Sequence, residues 1–143
     1  MIYQFADLKL DQGKRQLIRG KNVIKLPKLS FDFLNVLVEF SPNIVTQDEL
    51  IDNVWGKGRV VTPENITQRI NVLRKSLEDH ATNPVYIDVI HGQGVKLIPA
   101  VDIIENNSQP NQDKKKKSNW LPIVTGISAL IVLLKLLLPI HSS

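Results

Sequence analysis

The sequence predicts an α+β domain at the start of a 143-residue chain, followed by a polar linker and one apolar helical segment. Three observations carry that prediction. Short strand-like runs separated by turn residues come first, three helix-like runs with clear starts and stops follow, and a hairpin pattern precedes a tail of very different composition.

Taken in order, Tyr3 to Leu10 and Arg15 to Arg19 read as strands around the turn Asp11-Gln12-Gly13, and Gly20-Lys21-Asn22 leads to a third strand from Val23 to Leu26. Together they predict an N-terminal antiparallel sheet covering a helical core. Ser30 is placed to cap a first helix from Phe31 to about Phe40, with Phe31, Leu34, Leu37 and Val38 as its buried stripe. Ser41-Pro42-Asn43 ends it. Thr46 with Glu49 three residues on forms a capping box for a second helix, whose core contacts are Leu50, Ile51, Val54 and Trp55 and whose stop is Gly56-Lys57-Gly58. A third helix starts after Thr62 as N-cap, with Pro63 at its first position, and Ile66, Ile70, Leu73 and Leu77 give it one apolar stripe. Val85 to Ile90 and Val95 to Ile98, joined by His91-Gly92-Gln93-Gly94, read as a hairpin in which the glycines supply backbone freedom.

The last part of the chain contrasts with this. Lys114 to Lys117 precede an apolar stretch from Trp120 to Ile140, and these 21 residues reach roughly 30 Å as a helix, about the thickness of a bilayer core. The expected organisation is a domain over residues 1–105, a flexible basic linker over 106–118, a transmembrane helix over 119–140 and a short extracytoplasmic tail over 141–143. Lysines at one end favour a cytoplasmic N-terminal domain. Lys135 inside the stretch can snorkel to the interface, and Pro122 falls in a first turn; a helix lying on the membrane, docked on protein or buried in a soluble core is the alternative. Gly126, Ser128 and Ala129 would permit close approach of a membrane-embedded regulatory partner, and Lys135 would favour an acidic or polar one.

Charge is unevenly spread. Residues 1–105 carry 13 Lys/Arg and 13 Asp/Glu, whereas 106–143 carry 5 and 1, which accounts for the formal net charge of +4. The basic balance is therefore no argument for nucleic-acid binding by the domain. Cysteine is absent, which excludes disulfides and thiolate metal sites. His80, His91 and His141 are far apart, no HExxH-type spacing or phosphate-cradling glycine loop occurs, and neither an enzyme nor a cofactor or metal is expected.

Helix-turn-helix followed by a hairpin is the order of a winged helix-turn-helix, in which the third helix enters a DNA major groove. Opposite its apolar stripe that helix carries Glu64, Gln68, Asn71, Val72 and Lys75, with Thr67 and Arg74 on one flank and Arg69 on the other. Gln68 and Asn71 suit adenine edges, Val72 a thymine methyl, and Arg69, Arg74 and Lys75 either guanine edges or phosphates. His91 and Lys96 add contacts from the hairpin. A polar outer face is also what most surface helices show.

The ordered set Leu26-Pro27-Lys28, Asp48-Glu49-Leu50-Ile51 with Val54-Trp55-Gly56, Ile70 with Leu73-Arg74-Lys75-Ser76-Leu77-Glu78, and Ile87-Asp88-Val89-Ile90-His91-Gly92-Gln93-Gly94-Val95-Lys96-Leu97 resembles the OmpR/PhoB-type winged-helix DNA-binding domain over about residues 3–101. The layout is similar to the membrane-anchored, ToxR/CadC-like branch of transcription regulators. Val95 stands where that family usually has an aromatic, and Asn71 and Val72 where basic residues are frequent. The resemblance implies a one-component-like bacterial regulator at the inner membrane, single-pass, with double-stranded promoter DNA as partner and a homodimer or related protein beside it. A receiver domain and aspartyl phosphorylation are not expected. The neutral charge of residues 1–105 keeps one alternative open, a membrane-tethered protein-interaction module on the same fold without specific DNA binding.

Overall fold

The computed structural model describes residues 1–104. The expected linker, membrane-spanning segment and short tail lie outside the described residues, and among the described residues no helix is long and apolar enough to cross a membrane. The elements are β1 (Ile2–Phe5), β2 (Leu8–Asp11), β3 (Gln16–Arg19), β4 (Asn22–Ile24), α1 (Lys28–Phe40), α2 (Gln47–Leu50), a π-helical turn (Ile51–Trp55), α3 (Pro63–Leu77), β5 (Ile87–Ile90), β6 (Gly94–Leu97) and β7 (Asp102–Ile104).

The N-terminal sheet is larger than the sequence pattern suggests. It has five antiparallel strands in the order β4-β3-β2-β1-β7, with Ile2, Gln4 and Tyr3 of β1 facing Ile104, Asp102 and Ile103 of β7. The strand expected from Tyr3 to Leu10 is instead a hairpin: Phe5 faces Leu8 across Ala6-Asp7, where Ala6 takes a φ of 52°. A straight strand would have sent Leu8 and Leu10 to the face opposite Phe5, because side chains alternate. The turn restores all three to the core, where Phe5, Leu8, Leu10 and Leu17 are buried. β3 starts at Gln16 because Arg15 (φ 51°) still belongs to the turn, in which the Lys14 amide donates to Asp11 Oδ1 at 3.0 Å. β4 ends at Ile24, short of Leu26.

Helix α1 also corrects an expectation. It begins at Lys28 with Pro27 at the N-cap, so Ser30 lies inside the first turn, fully buried, and caps nothing. Proline at this entry fixes φ at −56° and spares an amide that the helix could not use. The expected stripe of Phe31, Leu34, Leu37 and Val38 is buried, joined by Phe33 and Val36, because α1 packs against α3, the π-helical turn and β6 at once. Gln12 Nε2 donates to Asn35 Oδ1 (2.7 Å) and Glu39 Oε1 (2.8 Å), and the Arg15 guanidinium stacks 4.4 Å from the Phe31 ring centroid, so the sheet is seated on this helix.

The capping box of α2 is present: Thr46 Oγ1 accepts from the Glu49 amide at 3.2 Å, and Glu49 Oε1 accepts from the Thr46 amide at 3.3 Å. After Leu50 the helix widens into the π-helical turn, which places Trp55 edge-on to Phe33 with ring centroids 6.5 Å apart. For α3, Thr62 Oγ1 accepts from the Asn65 amide at 3.3 Å, Pro63 opens the helix, and Ile66, Ile70, Leu73 and Leu77 are all buried. Full burial of such side chains is worth about 1.5–3 kcal/mol each.

Past α3 the chain turns sharply through Glu78, whose φ is 59°, and Asp79 then accepts three backbone amides: Val85 at 2.7 Å, Tyr86 at 3.3 Å and Ile87 at 3.0 Å. Burial works against the charge, but the amides of Val85, Ile87, Tyr86 and His80 outweigh it and hold the Asp79 carboxyl below the usual carboxylate range. A lowered folded-state pKa means stability that is fully present above the unfolded value and lost as pH falls through the folded one. Asp79→Asn should therefore cost about 1–3 kcal/mol at neutral pH, since an amide group cannot accept at both positions. Denaturant melts across a pH series should show the gap between wild type and variant closing below roughly pH 4; a gap independent of pH would place the cost elsewhere.

Candidate nucleic-acid interface

Helix α3 presents its polar side as anticipated. Thr67, Gln68, Asn71 and Lys75 are exposed, and Arg69, Val72 and Arg74 are half-buried. The exposed set is held outward by four buried residues on the opposite face, so the side chains available for reading a partner sit on a rigid element.

The hairpin β5–β6 stands beside it as a wing. Ile87 pairs with Leu97, Asp88 with Lys96, Val89 with Val95 and Ile90 with Gly94. Ile87, Val95 and Leu97 are buried and fix the inner face. Val45, just before α2, forms a bridge to the wing, its amide donating to Val95 O at 2.7 Å and its carbonyl accepting from the Val95 amide at 2.9 Å. Gly94 is required by this contact, because a Cβ there would lie 2.0 Å from the Val45 carbonyl oxygen. Gly92 supplies the positive φ (75°) of the tip, and His91 and Gln93 are exposed on either side.

Between wing and helix runs a groove of about 240 Å³ with Ile66, Ile70 and Val89 along its floor and Gln47, Thr67, His91 and Gln93 among its polar lining. The structure thus brings Thr67 and His91 to one groove. Asn71, Arg74 and Lys75 line a second depression at the other end of α3, shared with Glu78, Asp79 and His80. Gln68, Arg69 and Val72 line neither.

One of the expected contact residues has a partner within the fold. Arg74 Nη2 donates to Ile87 O at 3.1 Å and its Nε is buried, so this side chain joins α3 to the first wing strand. Lys96 lies directly across from Asp88 on the neighbouring strand, with no ion pair between them among the described residues. Gln47 and Gln93 were not singled out by the sequence pattern. The capping box at Thr46 was the available signal for Gln47, since it places that residue at the first position of α2.

The far end of α3 is secured by a polar cluster. Arg19 Nη2 donates to Leu77 O (2.9 Å) and to Tyr86 Oη (3.2 Å), Arg19 Nε donates to Asp7 Oδ2 (2.9 Å), and the Tyr86 hydroxyl donates to Asp7 Oδ1. The Tyr86 hydroxyl bond is the main reason the Asp7 carboxyl lies below its ordinary range, while burial first and then Asp7 push the Tyr86 phenol up. Sheet, recognition helix and wing meet at these three side chains.

Residues 20–97 match the family model described as "Transcriptional regulatory protein, C terminal". The chain is 39% identical over 87 residues to the transcriptional activator CadC of Escherichia coli, covering 60% of this chain and 17% of CadC. It is 35% identical over 96 residues to the sensory transduction protein RegX3 of Mycolicibacterium smegmatis, covering 67% of this chain and 42% of RegX3. It therefore spans less than half the length of either relative. Among solved structures, the Klebsiella pneumoniae RstA DNA-binding domain in complex with the RstA box aligns with a TM-score of 0.64 at 28% identity, over 69% of this chain and 98% of that one. The DNA-binding domain of E. coli CadC aligns with a TM-score of 0.62 at 32% identity, over 72% of this chain and 96% of that one. With a winged-helix architecture and a family match over most of the described residues, this chain belongs to the C-terminal domain family of transcriptional regulatory proteins.

Proposed function

We propose that this chain is a sequence-specific double-stranded DNA-binding transcription regulator, held at the bacterial inner membrane by its C-terminal segment with residues 1–105 in the cytoplasm. The observation that carries the DNA reading is α3: a helix whose four-residue apolar stripe is buried, whose opposite face is polar and exposed, and which lies beside a wing. The RstA relative, solved with its DNA box, supports the same use of the fold. Gln68 and Asn71 offer paired donors and acceptors to adenine edges, Val72 an apolar contact to a thymine methyl, and Thr67, Arg69 and Lys75 contacts to backbone or bases. His91 approaches from the wing. Arg74 acts by orienting the wing on the helix, and Lys96 adds phosphate attraction from the wing.

Anchorage rests on sequence features: the lysine run Lys114 to Lys117 and the apolar stretch Trp120 to Ile140. The linker 106–118 extends at most about 3.3–3.6 Å per residue, so bound DNA lies within a few tens of ångströms of the membrane. A homodimer, or a membrane-embedded partner at Gly126, Ser128, Ala129 or Lys135, would complete the regulator.

Footprinting of genomic fragments with residues 1–105 tests the DNA reading. Protected sites are expected, and Gln68→Ala or Asn71→Ala should each lower discrimination by about 1–3 kcal/mol. A folded fragment that protects nothing at low salt would leave the fold as a protein-interaction module.

Salt titration separates the cations. Lys75→Ala should reduce the slope of log affinity against log salt by about 0.9, while Arg74→Ala should weaken binding with little change of slope. An equal change in both slopes would make Arg74 a phosphate contact.

Fractionation tests the anchor. The full chain should pellet with membranes and resist high-salt extraction, and a chain ending at Ser118 should not; release of the full chain by salt alone is incompatible with a spanning helix.

A further inference from the structure

The net neutrality of residues 1–105 conceals a segregation of charge. Between Leu8 and Lys28 lie seven Lys/Arg and one acid, Asp11, whereas α1, α2 and the π-helical turn contain Asp32, Glu39, Asp48, Glu49 and Asp52 and, after Lys28, no cation. The cations of the β2–β4 region are of two kinds. Arg15, Arg19 and Lys28 are in ion pairs with Asp32, Asp7, Glu78 and again Asp32. Lys9, Lys14, Lys21 and Lys25 are exposed, and none of them is in an ion pair among the described residues; Lys14 belongs to the β2–β3 turn.

The register shows where these lysines are. Leu8, Leu10 and Leu17 are fully buried on the inner face, so Lys9 and Ile18, which face each other across β2 and β3, are on the outer one. Ile18 in turn faces Val23 of the edge strand β4, and Val23 is 53% exposed. Lys21 and Lys25 flank Val23 at a spacing of two. The outer face near this edge is thus an apolar centre, Ile18 and Val23, with Lys9 across from Ile18 and Lys21 and Lys25 just beyond the two ends of β4. Asp11 is buried and accepts the Lys14 amide; Asp102 shares the outer face, in line with Lys9 through Gln4, but on the opposite edge strand, two strands away.

We propose that the outer face of the five-stranded sheet is a docking surface for an anionic lipid bilayer. An apolar centre with a cationic rim is the pattern that buries carbon below headgroup phosphates while pairing amines with them. A duplex would match the lysines but would have no use for Ile18 and Val23. The sheet's inner face covers α1, and α1 packs on α3, so docking leaves the recognition helix free to hold DNA at the same time. The proposal builds on the reading that the C-terminal segment brings this domain to a membrane, because an apolar stretch and four lysines in the same chain make lipid the nearest surface. Docking would fix how the domain presents α3 to DNA.

The test uses residues 1–105, which hold a complete core and match relatives solved as separate domains. Sedimentation with phosphatidylglycerol/phosphatidylcholine vesicles at low salt should show binding that pure phosphatidylcholine vesicles do not support. Loss of one lysine should reduce partition roughly fivefold, so the triple variant K9Q/K21Q/K25Q should lose on the order of a hundredfold. A control variant, K57Q/R59Q, changed in the loop before α3, should keep its vesicle binding, and the triple variant should keep its DNA affinity and its melting profile. No partition of the wild-type fragment, equal loss in both variants, or a triple variant that loses DNA affinity while still binding vesicles would each overturn the proposal. Failure of the anchor reads out differently, as full-length chain in the soluble fraction whatever the fragment does.

Discussion

The fold turns on one buried carboxylate. Asp79 follows the left-handed residue that ends α3, and by accepting the amides of Val85, Tyr86 and Ile87 it sets where the wing begins relative to the recognition helix. Without it, three amides at the edge of the core would have to be satisfied by other groups. Everything nearby relies on that start: Tyr86 is positioned to meet Asp7 and Arg19, and the Ile87 carbonyl is positioned to receive Arg74. A wing secured at its base by side chains and near its tip by the Val45 bridge can hold His91 beside Thr67 without further contacts. Specific reading by a helix and a hairpin depends on their mutual angle, and here both polar groups and the buried Ile87, Val95 and Leu97 set it.

Much of this was legible in the chain. The capping box at Thr46, the Thr62-Pro63 start and the spacing of Ile66, Ile70, Leu73 and Leu77 are local signals, and each gave its element correctly. Other features required tertiary information. The Ala6-Asp7 turn was visible only as a change of parity, with Tyr3 and Phe5 inward at odd positions and Leu8 and Leu10 inward at even ones. Ser30 looked like a cap because capping residues are polar, but the proline three residues earlier already defined the entry. β7 escaped notice because three residues, Asp102 to Ile104, carry no periodicity of their own and become a strand only by pairing with β1. At the candidate site, the exposed face of α3 followed from its buried one, whereas the inward engagement of Arg74 could not be read from a helical wheel, since its acceptor is a backbone carbonyl 13 residues away.

Arg74 and Lys75 also illustrate how one position can satisfy two demands. Both occupy the last turn of α3, where positive charge is favoured by the helix dipole, and Glu64 occupies the first turn, where negative charge is favoured. Cations at that end thus have a stabilising role before any DNA is considered.

A reading helix with so few uncommitted cations has a consequence for affinity. Binding of proteins to duplex DNA draws much of its strength from displaced counterions, in proportion to the phosphates neutralised. On α3 itself the exposed cation is Lys75, with Lys57 and Arg59 exposed in the loop before it; Arg69 is half-buried, Arg74 is engaged, and Glu64 and Glu78 oppose them. A helix face with one exposed cation gains less from unspecific attraction than from base contacts, and repeated presentation to the same DNA would add to both. Confinement would supply that presentation. A domain restricted to a thin layer by the proposed tether would meet nearby DNA at an effective concentration set by linker length rather than by its own charge. On the proposed reading, the cations of the sheet would orient the domain while the polar face of α3 supplies discrimination.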